Sequence, residues 1–167
     1  LAVSAFGYEP ATASLITVTA GMTTVQDFAL TALPFGILRG RVTDAATGQP
    51  LTATVTVLGT PLEAMTHSYQ FILPAGHYVL RARHLGHRVV TATVAITVGQ
   101  YTVADLALPP APSILLVDSG GWYYGSQIGY FRQALDDLAY AYDERSIRHL
   151  PGDLPRTSDL TPYDIVV

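Results

Sequence analysis

The chain has 167 residues, 49% of them apolar, a formal net charge of −4 and no cysteine. That length holds one domain or two small ones with a real core. The mildly acidic balance argues against a nucleic-acid partner, which would want a basic face. No apolar run approaches the ~18 residues of a membrane-spanning helix, and without cysteine no disulfide framework exists. All nine basic residues are arginine, and asparagine is absent.

In chain order, the first informative phrase is "VTAGMTTVQDFAL" at 18–30, because it returns as "ITVGQYTVADLAL" at 96–108. Seven of thirteen positions agree, among them Gly21/Gly99, Asp27/Asp105 and Leu30/Leu108. A weaker match runs further back, with Leu1 and Gly7 against Leu80 and Gly86 at an offset of 79 rather than 78. One residue is therefore missing between the two glycines of the second copy. Internal similarity at a fixed offset is the mark of repeated modules. Residues 1–32 are expected to be the C-terminal part of a preceding β-sandwich repeat, with strands at 1–6 and 18–30. Residues 36–108 are the complete copy. The head of the first copy would lie upstream, in a longer parent protein.

Residues 36–108 alternate with period two. "TATVTVL" at 52–58 puts Ala53, Val55 and Val57 on one face and threonines on the other, and "HYVLRAR" at 77–83 turns Tyr78, Leu80 and Ala82 inward. Such alternation marks half-buried antiparallel strands. Turn signals stand between them at 44–50, 73–77, 85–87 and 98–100. Short strands at regular spacing predict a β-sandwich.

"LPPAPS" follows, and its prolines predict a stiff linker over 109–113. Beyond it the pattern changes. "SILLVDSGG" is a continuous apolar run, the signature of a strand buried on both faces. Ile128, Phe131, Leu135 and Leu138 then form one helical stripe, with Ser126 as N-cap. "AYAYDERSI" and "YDIVV" supply further strands. Strand–helix–strand predicts a parallel βαβ unit over 114–167, itself truncated at Val167. The fold class is thus mainly β, an antiparallel sandwich followed by a partial α/β unit.

Two phrases carry a family resemblance. Gly40-Arg41-Val42-Thr43-Asp44 with Thr47-Gly48-Gln49-Pro50-Leu51 matches a "GxVxDxxTGxPL" opening, and Pro74, Gly76, Tyr78 and Leu80 match "PxGxYxL". The complete copy resembles the carboxypeptidase regulatory-like family, a transthyretin-type (prealbumin-like) β-sandwich. His87 stands after Gly86 where that family usually has tyrosine, and the first copy has Gly7-Tyr8 there. "ILLVD", "ALDDLAYAYD" and "YDIVV" resemble the start of an α/β region beside such sandwiches in secreted bacterial subtilisin-like peptidases. The resemblance implies a bacterial extracellular or cell-surface location.

Candidate chemistry is sparse. "VDSGG" at 117–121 resembles the catalytic aspartate motif of aspartic proteases and of subtilisins. The first chemistry needs two carboxylates, and no second such motif exists. The second needs a serine nucleophile and a histidine base, and neither motif is present. Asp118 more simply closes a buried strand. It does so at the crevice end of an α/β sheet, where ligands bind, and Trp122, Tyr123 and Tyr124 follow it. Asp118, Trp122, Tyr123 and Tyr124 are therefore the candidate ligand-binding residues. His84 and His87 form an HxxH without a third ligand, so no metal site and no cofactor are expected, and no catalytic residue is assigned.

The implied function is a non-catalytic accessory region of a secreted multidomain hydrolase, a subtilisin-like serine endopeptidase. It would space, stabilise or present substrate, with the parent's other domains, a polypeptide substrate or a cell-surface glycan as partners. A carbohydrate- or surface-binding sandwich is the alternative. The start of an amidotransferase-like α/β enzyme, with its nucleophile beyond Val167, is the second.

Overall fold

The structure is a computed structural model describing residues 1–120, 126–149 and 152–167. Two short strands, β1 (Ala2–Val3) and β2 (Ala11–Thr12), pair near the N-terminus. The sandwich follows as β3 (Phe35–Asp44), β4 (Ala53–Val57), β5 (Glu63–Thr66), β6 (Ser68–Pro74), β7 (Gly76–Arg83), β8 (Val90–Ile96), β9 (Tyr101–Val103) and β10 (Leu106–Leu108). The last part holds β11 (Ile114–Asp118), α1 (Ile128–Asp137), β12 (Tyr142–Ser146), α2 (Thr157–Leu160) and β13 (Ile165–Val166).

The sandwich packs the sheet β5-β4-β7-β8 on a sheet centred on β3, with β6 on one side and β9 and β10 along the other. The predicted register holds. Ala53, Val55, Val57, Leu80 and Ala82 are buried in one core with Leu38, Val42, Phe71, Leu73, Leu106 and Leu108, and Tyr78 packs against it half-buried. Alternation decides this, because a one-residue slip would turn the whole apolar set to water. The antiparallel expectation holds for every pairing among β3 to β8. The closing strands differ, since β9 and β10 run parallel to β3.

β9 and β10 form one strand with a break at Ala104 and Asp105. Ala104 N–H donates to Arg39 O at 2.9 Å. Its carbonyl turns inward, where the Tyr69 hydroxyl donates to it. Arg41 N–H, left without a backbone acceptor there, donates to Asp105 Oδ1 at 2.8 Å. The inward carbonyl explains Gly40, where a Cβ would lie 1.8 Å from Ala104 O.

Residues 18–30 are not strands, and β1 covers only two of residues 1–6. The reason is the missing neighbour. The corresponding β9 and β10 exist by pairing with β3, and the first copy has no such partner among the described residues. Its local contacts are nevertheless those of the second copy. Ala2 pairs Thr12 and Val3 pairs Ala11, as Arg81 pairs Thr91 and Ala82 pairs Val90. Tyr8 N–H donates to Ala5 O at 3.2 Å, as His87 N–H does to His84 O at 3.1 Å. Met22 N–H reaches Thr19 O and Gln100 N–H reaches Thr97 O, each at 3.1 Å. Thr24 Oγ1 donates to Thr17 O and Thr102 Oγ1 to Ala95 O, each at 3.0 Å. The extra residue of the first copy falls between β2 and Thr17. There Leu15 takes a φ of 59° and is 99% exposed, the conformation of a residue bulged out of register.

The stretch after β10 is pinned. Arg88 N–H donates to Pro109 O at 2.8 Å and Ala111 N–H to Gly86 O at 2.9 Å. Residues 31–33 are held in the same way, through Glu9 N–H to Thr31 O and Leu33 N–H to Gly7 O.

In the last part, β11 lies between β12 and β13 with all strands parallel, as the βαβ pattern predicts. β11 is buried along almost its whole length. Helix α1 covers it through Ile128 and Leu135. Phe131 and Leu138, the other half of the predicted stripe, are 49% and 55% exposed.

Candidate functional site

Asp118 ends the central strand β11, and the chain leaves it toward β12 on one side and later returns as β13 on the other. This is the switch point at the carboxyl end of a parallel sheet. The Asp118 side chain is 4% exposed. Ser126 Oγ donates to Oδ1 at 2.6 Å, Gly120 N–H to the same oxygen at 3.2 Å, and Arg148 Nη2 to Oδ2 at 2.8 Å. These donors, Ser126 first and then Arg148, hold its pKa down to about 2. Gly120 is required by the closeness of the loop, since a Cβ there would sit 2.9 Å from Ser126 Cα.

The chemistry follows. A general base needs a pKa near the working pH and a free lone pair aimed at substrate. Asp118 is paired with a guanidinium and shared among three donors, which joins the end of β11 to Gly120, Ser126 and Arg148. Ser126 also accepts from Ile128 N–H at 3.3 Å, so the predicted N-cap serine serves both the helix start, one residue later at Gln127, and the aspartate. Sequence reasoning missed Arg148, which lies 30 residues away with no motif to mark it. Trp122, Tyr123 and Tyr124 lie outside the described residues.

A second cluster sits at the end of the sandwich. The rings of His84 and His87 meet edge-on, with their Nδ1 atoms 3.1 Å apart, and His87 Nε2 lies 3.1 Å from Asp44 Oδ2. Asp44 Oδ1 accepts Ala46 N–H and Thr47 N–H at 2.7 and 2.9 Å, the aspartate turn expected at 44–48. The His87 hydrogen bond, followed by those turn amides, lowers its pKa to about 2. This is a line of side chains, each nitrogen of His87 already used. Among the described residues no three histidine, cysteine or acidic side chains are placed to hold a metal ion.

The third feature is the outer face of the β3 sheet. Arg39, Arg41, Ser68, Gln70, Val103 and Asp105 help line an open hollow of about 580 Å³. Tyr101, 61% exposed, stands on the same face with the Arg39 guanidinium 4.8 Å from its ring centre. Tyr101 escaped the sequence reading, which placed the aromatics after the sandwich. Its signal was alternation, since "QYTVAD" turns Tyr101 and Val103 to one side.

The fold and these turns agree with a comparison against known families. Residues 37–109 match the carboxypeptidase regulatory-like domain. The matched residues run from within β3 through β10 to Pro109. No curated protein matches the chain. Among solved structures, the chain is similar to the minor pilin GBS52 of Streptococcus agalactiae, at 14% identity and a TM-score of 0.37 over 50% of this chain and 48% of that one. It is similar to a candidate carbohydrate-binding protein from Bacteroides uniformis, at 18% identity and a TM-score of 0.34 over 45% and 41%. It is also similar to the TIE protein of Bacillus anthracis, at 13% identity and a TM-score of 0.39 over 56% and 20%. The chain spans about half the length of the first of these, or less for the others.

Proposed function

We propose that this chain is a non-catalytic stretch of a secreted, multidomain bacterial hydrolase, a subtilisin-like serine endopeptidase, in which sandwich modules in tandem space and orient neighbouring domains. Residues 1–32 would be the end of one module, 36–108 the next, 109–113 the junction and 114–167 the opening of an α/β unit. The observation that carries the tandem reading is the shared set of backbone hydrogen bonds in 1–33 and 80–111. The parent's identity rests on the resemblance of the flanking α/β segments, an argument by analogy. The partners under this reading are the parent's other domains and a polypeptide substrate.

The test is enzymatic and genetic together. The purified chain should turn over neither casein nor small esters, and Asp118→Ala should change nothing in that assay. Turnover by the chain that Asp118→Ala abolishes would overturn the accessory reading. The parent gene should encode a serine nucleophile and histidine base elsewhere, and their absence would remove the peptidase.

A second reading is favoured by one observation, the exposed Tyr101 ring beside Arg39 and the hollow. An exposed ring beside polar side chains is a surface on which a sugar can stack. Polysaccharide retention that Tyr101→Ala abolishes would establish a glycan site. Equal retention by both proteins would dismiss it.

A further inference from the structure

We propose that residues 19–30 form a strand-acceptor edge, and that its occupant is an extended segment with the chemistry of β3, supplied by the same polypeptide ahead of Leu1. The inference rests on the tandem-module reading and names the partner that reading leaves open.

The two copies differ where β3 touches the second. Ile96 is 4% exposed and its counterpart Val18 is 77% exposed. Asp105 accepts the N–H of Arg41 in β3, while the carboxylate of its counterpart Asp27 has no hydrogen-bond partner among the described residues. The turn, the threonine hydrogen bond and the bridge from Tyr8 to Ala32 are formed without the strand. The first copy is thus set in its final local conformation with one edge unfilled, the arrangement in which an added strand is captured by main-chain hydrogen bonds.

The second copy also states what the occupant must be. A Cβ at Gly36 would lie 2.3 Å from Thr97 O, and one at Gly40 would lie 1.8 Å from Ala104 O. The corresponding carbonyls belong to Thr19 and Gln26. The occupant therefore needs glycine at two positions four apart. The residue after the second glycine must keep its N–H for Asp27, which excludes proline, and the next must be apolar, as Val42 is. In the complete copy Gly36 and Gly40 stand 44 and 40 residues ahead of Leu80 (80 − 36 and 80 − 40). The same pair is expected about that far ahead of Leu1. A second copy of this chain is a poorer donor, because its β3 is already paired with β6, β9 and β10.

The test compares the 167-residue chain with the same chain carrying a copy of residues 36–79 directly ahead of Leu1, as they stand ahead of Leu80. Amide hydrogen exchange is read at Val18, Thr24, Gln26, Phe28 and Leu30, with Val55 and Leu80 as reference for an intact sandwich. In the extended chain these amides should gain about 100-fold protection or more, the scale that separates an open edge from a cooperative core. Changing both added glycines to valine should abolish the gain. As a measurement independent of that extension's folding, a synthetic peptide of residues 35–44 added to the 167-residue chain should shift the amide resonances of 23–30, and its Gly40→Val form should not. No protection in the extended chain together with no peptide shift overturns strand acceptance while leaving the tandem reading in place. Amides already protected in the monomeric 167-residue chain overturn the tandem reading, because 18–30 would then have other cover. Protection that appears only in a dimer by sedimentation overturns supply from the same polypeptide.

Discussion

The Asp105 carboxylate accepts the backbone N–H of Arg41 at 2.8 Å, standing in for the main-chain carbonyl that the break between β9 and β10 turns away. A side chain thereby completes a β-ladder. Asp105→Ala should lower stability by about 1 kcal/mol, the usual net value of one such hydrogen bond, and Asp105→Asn should recover most of it. Asp27→Ala should be neutral in the 167-residue chain. Urea midpoints of the variants check this, and equal losses at both aspartates would contradict it.

Gly40→Ala should be the most damaging small substitution in the sandwich. The added methyl meets Ala104 O at 1.8 Å and the Tyr69 hydroxyl at 2.7 Å, and backbone cannot step aside cheaply. A loss of about 3 kcal/mol is expected, at the upper end for overpacking. Gly129→Ala in α1, with nothing near its Cβ position, should instead stabilise by up to about 1 kcal/mol. Thermal unfolding of the two variants should move in opposite directions.

Acid should expose Asp44 and Asp118. Both have folded pKa values of about 2 against an ordinary 3.8. The folded state thus binds fewer protons than the unfolded state between those values. Their contribution is complete above about pH 4 and is lost as the pH falls toward 2. Asp44→Asn and Asp118→Asn should each flatten the acid limb of a plot of stability against pH. An unchanged limb in both would show that neither carboxylate is held as described.

Arg88 should tie the sandwich to the α/β unit. Its Nη1 donates to Leu138 O at 2.8 Å, at the C-terminal end of α1, and its guanidinium lies 4.6 Å from the centre of the Tyr140 ring. A cation at a helix C-terminus satisfies a free carbonyl and the helix dipole together. Arg88→Ala should speed proteolysis within 128–140 and leave hydrogen exchange at Val55 and Leu80 unchanged. Arg88→Lys should restore only part of the resistance, because lysine lacks the planar fork.

The sandwich was legible in the sequence because its strands are half-buried. Ala53, Val55 and Val57 alternate with threonines and landed in the core. β11 was legible because it is buried on both faces. The repeat was legible as identity, yet its strand assignment at 18–30 failed, because a strand needs a neighbour and identity does not reveal whether the neighbour is present. Half of the α1 stripe failed for a related reason. Among the described residues only Ile128 and Leu135 of that stripe pack on β11, and spacing alone does not say how much of a stripe finds cover. Of the candidate site, Asp118 could be found from "VDSGG", but its hydrogen bond to Arg148 could not, because that residue is brought to it by the parallel pairing of β11 with β12.

The parallel pairing of the sandwich's first and last strands has a mechanical consequence. β3 begins the module and β10 ends it, and they run side by side in the same direction. Tension applied between Phe35 and Leu108 pulls the two strands past each other lengthwise. The hydrogen bonds of Leu106 to Leu108, and those of Tyr101 to Val103 behind them, are then loaded together in shear instead of opening one after another like a zipper. Resistance to force is set by the unfolding barrier rather than by equilibrium stability, and a shear clamp raises that barrier for stretching alone. A module built this way can carry load in line between the pieces of chain on either side of it.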